Sequence, residues 1–241
     1  FGFFADYIEF YQEKLSLFVF SRDYLTDNIT QPGSLLVYLG RFLTTFYYYP
    51  FVGGLIISLI ICMIIFMISK IISFLTEKKA LLLPLLFGTA FFILQTNYQF
   101  LLYNSLGVLL QLLLFYLTIR YLEGFVPVII FPFWYLVTGG FAWIFALMYT
   151  LYLAFKSLRE EWPKILSLFV VTFLVIYLLK EFFIFQPFRF LIVFPFSNYD
   201  IGSQFKLFIP MLGFIILLPL IVKIKIGLPL LKSVEFPNEM N

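Results

Sequence analysis

Residues able to do acid–base chemistry are concentrated in the first 50 positions of the sequence. Asp23 and Asp27 are four residues apart, so a helical segment would place both carboxylates on one face. Glu13 is the last of an earlier series of three carboxylates spaced three and four residues apart. A carboxylate held beside a membrane can act as a general base towards a bound hydroxyl group. We therefore predict Asp23, Asp27 and Glu13 as catalytic candidates.

Basic side chains that suit a phosphate group lie in the same segment and further along the chain. Arginine and lysine bind phosphate through charge-assisted hydrogen bonds. Each residue taken alone also has a simpler interpretation. Loops carry solvated charges, Asp27-Asn28 can cap a turn, and Lys180 can pair with Glu181 at the membrane interface. The predicted phosphate-binding residues are Arg22, Arg41, Lys180 and Arg189.

Several common kinds of functional site are excluded by residue type. The sequence has no histidine, which removes the commonest general base and zinc ligand. Its single cysteine, Cys62, lies in an apolar run and cannot form an internal disulfide. No P-loop or dinucleotide fingerprint is present, and a dispersed net charge of +3 does not indicate nucleic-acid binding. No cofactor is evident in the sequence, and a divalent metal stays open although no cluster of metal ligands indicates one.

The composition of the rest of the chain places these residues on a membrane scaffold. Hydrophobic residues make up 63% of the sequence and charged residues only 12%, with a mean hydropathy of +1.02. A soluble domain of this length carries about 25% charged residues. The apolar runs are continuous over about 15 to 20 residues, whereas a membrane barrel needs short alternating strands. We predict an all-α, polytopic transmembrane helical bundle.

Apolar runs and their polar interruptions predict about seven spans and two regions. Residues 1–50 form an outer-face interfacial segment, with a turn at Pro32-Gly33 and an amphipathic helix over 35–49. In that helix Leu39 and Phe46 fall on one side, and Arg41 and Thr44 on the other. Residues 51–241 form the transmembrane domain. Its predicted spans are 51–69, 80–94, 100–119, 125–137, 141–155, 165–179 and 207–222. A re-entrant pair is the alternative for 125–137 and 141–155.

The distribution of basic residues predicts the orientation, because cytoplasmic loops are enriched in lysine and arginine. With the end of the first span inside, the inner loops contain ten of the sixteen basic residues. Seven crossings then place the amino end outside and the carboxyl end in the cytoplasm. The ten are Lys70, Lys78, Lys79, Arg120, Lys156, Arg159, Lys164, Lys223, Lys225 and Lys232.

Two other functions are open on the sequence alone. Pro127, Pro132 and Gly139-Gly140 can interrupt helices around a transported substrate, as in transporters with broken helices. A tight turn between two spans explains the same residues. The abundant aromatic side chains also suit a non-enzymatic membrane subunit that binds partner helices.

Several short motifs resemble a family of uncharacterised bacterial multi-span membrane proteins, known only as a domain of unknown function. The resemblance covers about the first 155 residues. It implies a bacterial inner membrane as the location and implies no activity. Its motifs are Tyr11-Gln12-Glu13, Leu17-Phe18, Asp23-Tyr24-Leu25, Gln31-Pro32-Gly33, Tyr38-Leu39, Arg41-Phe42-Leu43 with Phe46, Trp134-Tyr135 and Thr138-Gly139-Gly140.

The chain is also similar, more broadly, to membrane glycosyltransferases of the C-type fold. These enzymes carry a catalytic acidic residue in the first outer loop, and Glu13, Asp23 or Asp27 matches it here. In that fold a span precedes this loop, so we expect the chain to continue upstream of Phe1. The resemblance implies transfer from a polyprenyl-phosphate-linked sugar donor. Membrane lipids, such a donor and other membrane proteins are then the expected partners.

Overall fold

The computed structural model describes residues 6–28, 31–76, 81–182, 187, 191–192, 194–195 and 205–223. This part of the chain is helical and contains no strand, which confirms the predicted all-α class. The helices are α1 (Asp6–Leu15), α2 (Arg22–Asn28), α3 (Ser34–Thr44), α4 (Pro50–Thr76), α5 (Leu82–Gln95), α6 (Leu102–Tyr121), α7 (Val126–Thr138), α8 (Ala142–Phe182), α9 (Phe205–Ile216) and α10 (Leu218–Lys223). Short 3₁₀ turns, Thr45–Tyr48 and Gly139–Phe141, follow α3 and α7.

Four stretches are long and apolar enough to cross a membrane, judged by length and composition. They are Phe51–Thr76, Leu102–Tyr121, Val126–Ser157 and Arg159–Phe182. Two shorter apolar helices, Leu82–Gln95 and Lys206–Ile216, coincide with two further predicted spans. A membrane-embedded helical protein is therefore supported, whereas the count of seven spans is not confirmed.

The stretch from Val126 to Ser157 folds back on itself at Gly139, which has a φ of 59°. The ring centroids of Phe131 and Phe145 are 5.7 Å apart. In a straight helix residues fourteen positions apart would be separated by about 21 Å. α7 and the first part of α8 are therefore the two arms of a helical hairpin, as the glycine pair predicted.

α8 is interrupted at Ser157, whose φ of −168° and ψ of 98° are extended rather than helical. The interruption falls at the junction of two apolar stretches, between Lys156 and the polar run that ends at Lys164. It allows side chains on the two sides of the junction to meet.

The core lies where α4, α5 and α6 pack together and where α7 packs on α8. Fully buried branched and aromatic residues fill it, among them Ile64, Ile68, Phe91, Phe115 and Phe131. α3 packs on α6 through Gly40, where an added Cβ would lie 2.5 Å from Tyr103 Cβ. Small residues allow this kind of close helix approach in membrane proteins.

α1 is docked on the bundle through one buried face. Ile8, Glu9 and Gln12 are buried at 2%, 1% and 0% exposure, and the helix packs on the Thr45–Tyr48 turn and on α4. Gln12 Nε2 donates hydrogen bonds to the carbonyl oxygens of Phe100 at 3.1 Å and Asn97 at 3.4 Å. The predicted interfacial position of this helix is not confirmed.

Candidate functional site

The predicted catalytic pair lies on α2. The Asp23 side chain is exposed and forms no salt bridge with any described residue, and the Asp27 side chain lies outside the described residues. Arg22, the first residue of the helix, is also exposed. The structure thus places Asp23 and Arg22 on an exposed surface and not in a described cavity.

Arg41 belongs to a small polar connection between α3 and α2. Its Nη1 donates a hydrogen bond of 3.2 Å to the Tyr24 hydroxyl, which donates to the Leu17 carbonyl at 2.9 Å. Phe18 packs edge-on against the Tyr24 ring, with centroids 5.4 Å apart. This arrangement fixes the guanidinium beside α2, the helix that carries the predicted pair.

The remaining predicted cation near the carboxyl end of α8 has a local partner. Lys180 Nζ lies 3.7 Å from Glu181 Oε1, and both side chains are largely exposed. This ion pair agrees with the simpler interpretation of Lys180 as an interfacial charge. Arg189 lies outside the described residues.

A groove of about 530 Å³ runs beside α1 and contains the third catalytic candidate, Glu13. Glu13 is half-buried and forms no salt bridge with a described residue. Lys14 Nζ lies 4.3 Å from the centroid of the Phe10 ring. We call this the α1 groove, and its lining residues are Tyr7, Phe10, Glu13, Lys14, Leu17, Tyr47 and Tyr48.

The inner wall of the α1 groove joins α1 to the start of α4. An added Cβ at Gly53 would lie 2.6 Å from Glu9 Oε2 and 3.2 Å from Tyr47 Cδ1. Burial raises the pKa of the Tyr47 hydroxyl above its usual value, and the nearby Glu9 carboxylate raises it further. The Gly53-Gly54 pair at the start of an apolar run is the sequence signal for this close approach.

A second cavity, of about 360 Å³, lies between the α6–α7 turn and the interruption of α8. Lys164 Nζ is 2.5 Å from Glu161 Oε2, and Lys156 Nζ is 3.5 Å from Glu161 Oε1. We call it the basic cavity. It is lined by Thr118, Ile119, Arg120, Leu122, Glu123, Gly124, Tyr149, Tyr152, Leu153, Lys156, Glu161 and Lys164.

Sequence reasoning assigned these basic residues to an inner loop and did not predict the basic cavity. The available signal was the charged run 156–164 between two apolar stretches. The residues after α6 that complete the cavity are far from that run in the sequence, and the fold brings the two together.

The two cavities lie at opposite ends of α6. Gln12, on the helix that forms the α1 groove, bonds to Asn97 and Phe100 just before α6 begins. The basic cavity uses Thr118 and the residues that follow it, where α6 ends. A 20-residue helix is about 30 Å long, the thickness of the apolar part of a bilayer.

No described residues form a group of three or more acidic or cysteine side chains that could hold a metal ion. The structure therefore offers no candidate metal centre within the part of the chain it describes.

No curated protein and no solved structure matches the chain. The similarity to C-type glycosyltransferases thus has no support from a matched protein. A family model described as a family of unknown function, DUF6057, matches residues 1–236. The match extends the expected resemblance from about the first 155 residues to nearly the whole sequence. The chain belongs to this family of unknown function.

Proposed function

We propose that the protein is a membrane transferase that binds a lipid-linked, phosphate-bearing sugar donor in the α1 groove. One observation carries the proposal: a half-buried carboxylate and an ammonium group from adjacent residues, Glu13 and Lys14, line an aromatic groove. Asp23 and Asp27 remain candidates from the sequence. Glu13 now comes first because it lines a cavity.

The surroundings of the groove suit an amphiphilic substrate. Leu17 and Tyr48 are exposed apolar or aromatic side chains, and Tyr48 lies only three positions before the apolar stretch Phe51–Thr76. Tyrosine is enriched at the headgroup level of membranes because its ring is apolar and its hydroxyl stays hydrated. A prenyl chain in the lipid would therefore place its phosphate beside Lys14.

The proposed reaction is a single displacement at the anomeric carbon of the donor. The Glu13 carboxylate accepts the proton of the acceptor hydroxyl while that oxygen forms a bond to the sugar C1. The bond from C1 to the phosphate oxygen breaks, and its electron pair leaves with the lipid phosphate. Lys14 stabilises the charge that develops on the leaving phosphate.

Arg41 and the exposed cations extend this proposal without being required by it. Arg41 is one of the predicted phosphate ligands, and its hydrogen bond to the Tyr24 hydroxyl holds it in place. Arg22, Lys180 and Arg189 remain sequence-based candidates. We further propose a bacterial inner-membrane location with the α1 groove on the outer side, on the basis of the distribution of basic residues.

The test uses the purified protein in nanodiscs with a polyprenyl-phosphate hexose and free polyprenyl phosphate as probes. We expect Lys14→Gln to weaken polyprenyl-phosphate binding by about tenfold. Glu13→Gln should retain binding but lower hexose release or transfer by at least about a hundredfold. Lys70→Gln, which changes an exposed charge on α4, is the matched control.

Two results at the groove residues would refute the proposal. One is binding of both probes by the Lys14→Gln protein at wild-type affinity. The other is release or transfer of the hexose by the Glu13→Gln protein at the wild-type rate. Loss of binding in Lys70→Gln to the same extent as in Lys14→Gln would also refute it, because the effect would then reflect overall charge.

A second candidate function, transport of a small polar solute, is favoured by the buried face of α6. Asn104, Gln111 and Thr118 recur every seven residues and are buried in the bundle between the two cavities. Gln111 Oε1 accepts a hydrogen bond from Trp134 Nε1 at 2.9 Å, and its Nε2 has no hydrogen-bond partner among the described residues. Polar side chains within membrane helices commonly mark substrate pathways.

Cysteine accessibility separates transport from transfer. In a Cys62→Ser background, Gln111→Cys should react with a small water-soluble thiol reagent if a hydrated pathway opens along α6. If Gln111→Cys does not react and the groove variants behave as predicted above, the transport function is rejected and the transferase function is supported.

A further inference from the structure

We propose that the basic cavity is a binding site for a phosphate group, at the opposite end of α6 from the α1 groove. Its lining combines three cations, Arg120, Lys156 and Lys164, with two carboxylates, Glu123 and Glu161. The cavity therefore carries a net positive charge of one when all five groups are ionised.

Glu161 positions two of the cations. It is buried at 7% exposure and contacts Lys164 at 2.5 Å and Lys156 at 3.5 Å, one ammonium group on each carboxylate oxygen. One carboxylate cannot neutralise two ammonium groups, and each ammonium has three donors. The interruption at Ser157 makes this arrangement possible, because it separates Lys156 from the helical segment that carries the other two.

The third cation approaches from the end of α6. Arg120 donates from Nη1 to the Tyr116 hydroxyl, and its guanidinium lies 5.2 Å from the Tyr121 ring centroid. These contacts, with hydrogen bonds to Tyr116 and Tyr121, hold the side chain and do not use all five of its N–H donors. Donors therefore remain for an anion, and guanidinium geometry matches that of phosphate oxygens.

A buried hydroxyl completes the cavity. Thr118 is 2% exposed and lines the cavity, yet its Oγ1 has no hydrogen-bond partner among the described residues. A buried hydroxyl without a hydrogen-bond partner is energetically unfavourable. A bound phosphate oxygen can accept this hydrogen bond together with those from the ammonium and guanidinium groups.

Phosphate at this position has two chemical sources. The cavity lies where the apolar stretches Leu102–Tyr121, Val126–Ser157 and Arg159–Phe182 have their ends, so an anionic phospholipid can present its headgroup there. A volume of about 360 Å³ also admits a small soluble phosphate compound. Both sources offer the same group to the same cations.

The experiment measures binding to the full-length protein in a neutral detergent. One arm titrates short-chain phosphatidylglycerol, with phosphatidylcholine as a zwitterionic comparison, and the other titrates inorganic phosphate. Arg120→Gln and Lys156→Gln are the test variants because both side chains are exposed and their loss should leave the fold intact. Thr118→Val tests the hydroxyl without changing the charge.

Arg159→Gln is the matched control, since it removes an exposed charge from the same turn but does not line the cavity. We expect about tenfold weaker binding in Arg120→Gln and Lys156→Gln, a smaller loss in Thr118→Val, and a change within about twofold in Arg159→Gln. Binding in the lipid arm alone identifies a headgroup site, and binding of inorganic phosphate identifies a site for soluble phosphate.

Absence of saturable binding in both arms would overturn the proposal. Equal losses in Arg159→Gln and in the lining variants would also overturn it, because binding would then follow surface charge. The variants Arg120→Gln, Lys156→Gln, Thr118→Val and Arg159→Gln all leave the residues of the α1 groove unchanged. The outcome is therefore independent of the proposed transferase function.

Discussion

Gly33 and Gly139 pack backbone against backbone, although they are 106 positions apart in the sequence. An added Cβ at Gly33 would lie 2.9 Å from Gly139 Cα, and both residues have positive φ, 89° and 59°. Gly33 N–H donates to the Leu136 carbonyl at 2.9 Å. The turn before α3 and the tip of the α7–α8 hairpin therefore form one contact that joins the first 50 residues to the bundle.

Alanine at either glycine should destabilise the protein by about 1–3 kcal/mol, because it adds a backbone clash to an unfavourable φ. For Gly139 the added Cβ would also lie 2.5 Å from the Phe194 carbonyl oxygen and 2.8 Å from that of Pro32. Thermal unfolding in detergent, followed by tryptophan fluorescence, measures the effect.

Alanine variants at two other glycines distinguish the cost of a positive φ from the cost of a steric clash. Gly124 has a φ of 65° but an added Cβ meets nothing within 4 Å, so Gly124→Ala should lose only about 1 kcal/mol. Gly213 has open space and no positive φ, so Gly213→Ala should be neutral or slightly stabilising. Equal stability of all four alanine variants would show that the contact does not form.

The Gly33–Gly139 contact shows what the sequence could and could not predict. Pro32-Gly33 and Gly139-Gly140 were each predicted as turns, because proline and glycine have local conformational effects that require no partner. Their meeting depends on α3 packing beside both α6 and α7, which no local pattern specifies. The sequence thus predicted both turns and the helical class but not the contact between them.

The hairpin makes a prediction about topology. Glu123 and Glu160 precede and follow the two arms and are both exposed, so cysteines at these positions should react with a membrane-impermeant maleimide from the same side. Gln99, exposed before the other end of α6, should react from the opposite side. The variants Glu123→Cys, Glu160→Cys and Gln99→Cys are made in a Cys62→Ser background.

Labelling of intact cells and of inverted vesicles distinguishes the two sides. From the basic residues we expect Gln99→Cys to be labelled in intact cells and the other two only in inverted vesicles. If Val126–Ser157 were one continuous span, Glu123→Cys and Glu160→Cys would be labelled from opposite sides, contrary to the ring contact between Phe131 and Phe145.

Gln12 should be the main polar anchor of α1. Gln12→Ala removes the hydrogen bond to the Phe100 carbonyl and leaves that region of the bundle with a small cavity, for an expected cost of about 1–3 kcal/mol. Hydrogen exchange of the α1 amides should accelerate while that of α6 changes little, because α1 is held on the outside of the core.

Leu15→Ala is the control for α1, since Leu15 is on the same helix but exposed. Its amide exchange should match the wild type. Equal acceleration in Leu15→Ala and Gln12→Ala would mean that helix propensity or lipid contact, rather than the Gln12 hydrogen bond, holds α1 in place.

The buried face of each helix was the least predictable part of the fold. Leu39 and Phe46, on the apolar side predicted for residues 35–49, are exposed, whereas Gly40 and Thr44 on the same segment are buried. In water an apolar face must turn inward, but lipid is as apolar as the core. Close helix approach, as at Gly40, then helps to decide which residues are buried, so the predicted apolar side of residues 35–49 does not coincide with its buried side.

Tyr47 provides a final prediction because its hydroxyl is buried and has no hydrogen-bond partner among the described residues. Tyr47→Phe removes this polar atom without changing the packing, so stability at neutral pH should be unchanged or higher by up to about 1 kcal/mol. Tyr47→Ala, which also removes the ring, should lose about 3–5 kcal/mol.

The pH dependence of stability, compared between the wild type and Tyr47→Phe, tests the raised pKa of Tyr47. An exposed tyrosine in the unfolded chain ionises near pH 10. Because the folded state holds the proton more tightly, the wild type should lose stability relative to Tyr47→Phe as the pH rises above about 10. Parallel stability curves between pH 8 and pH 11 would show that Tyr47 ionises equally in both states, and hence that its hydroxyl is not buried beside Glu9.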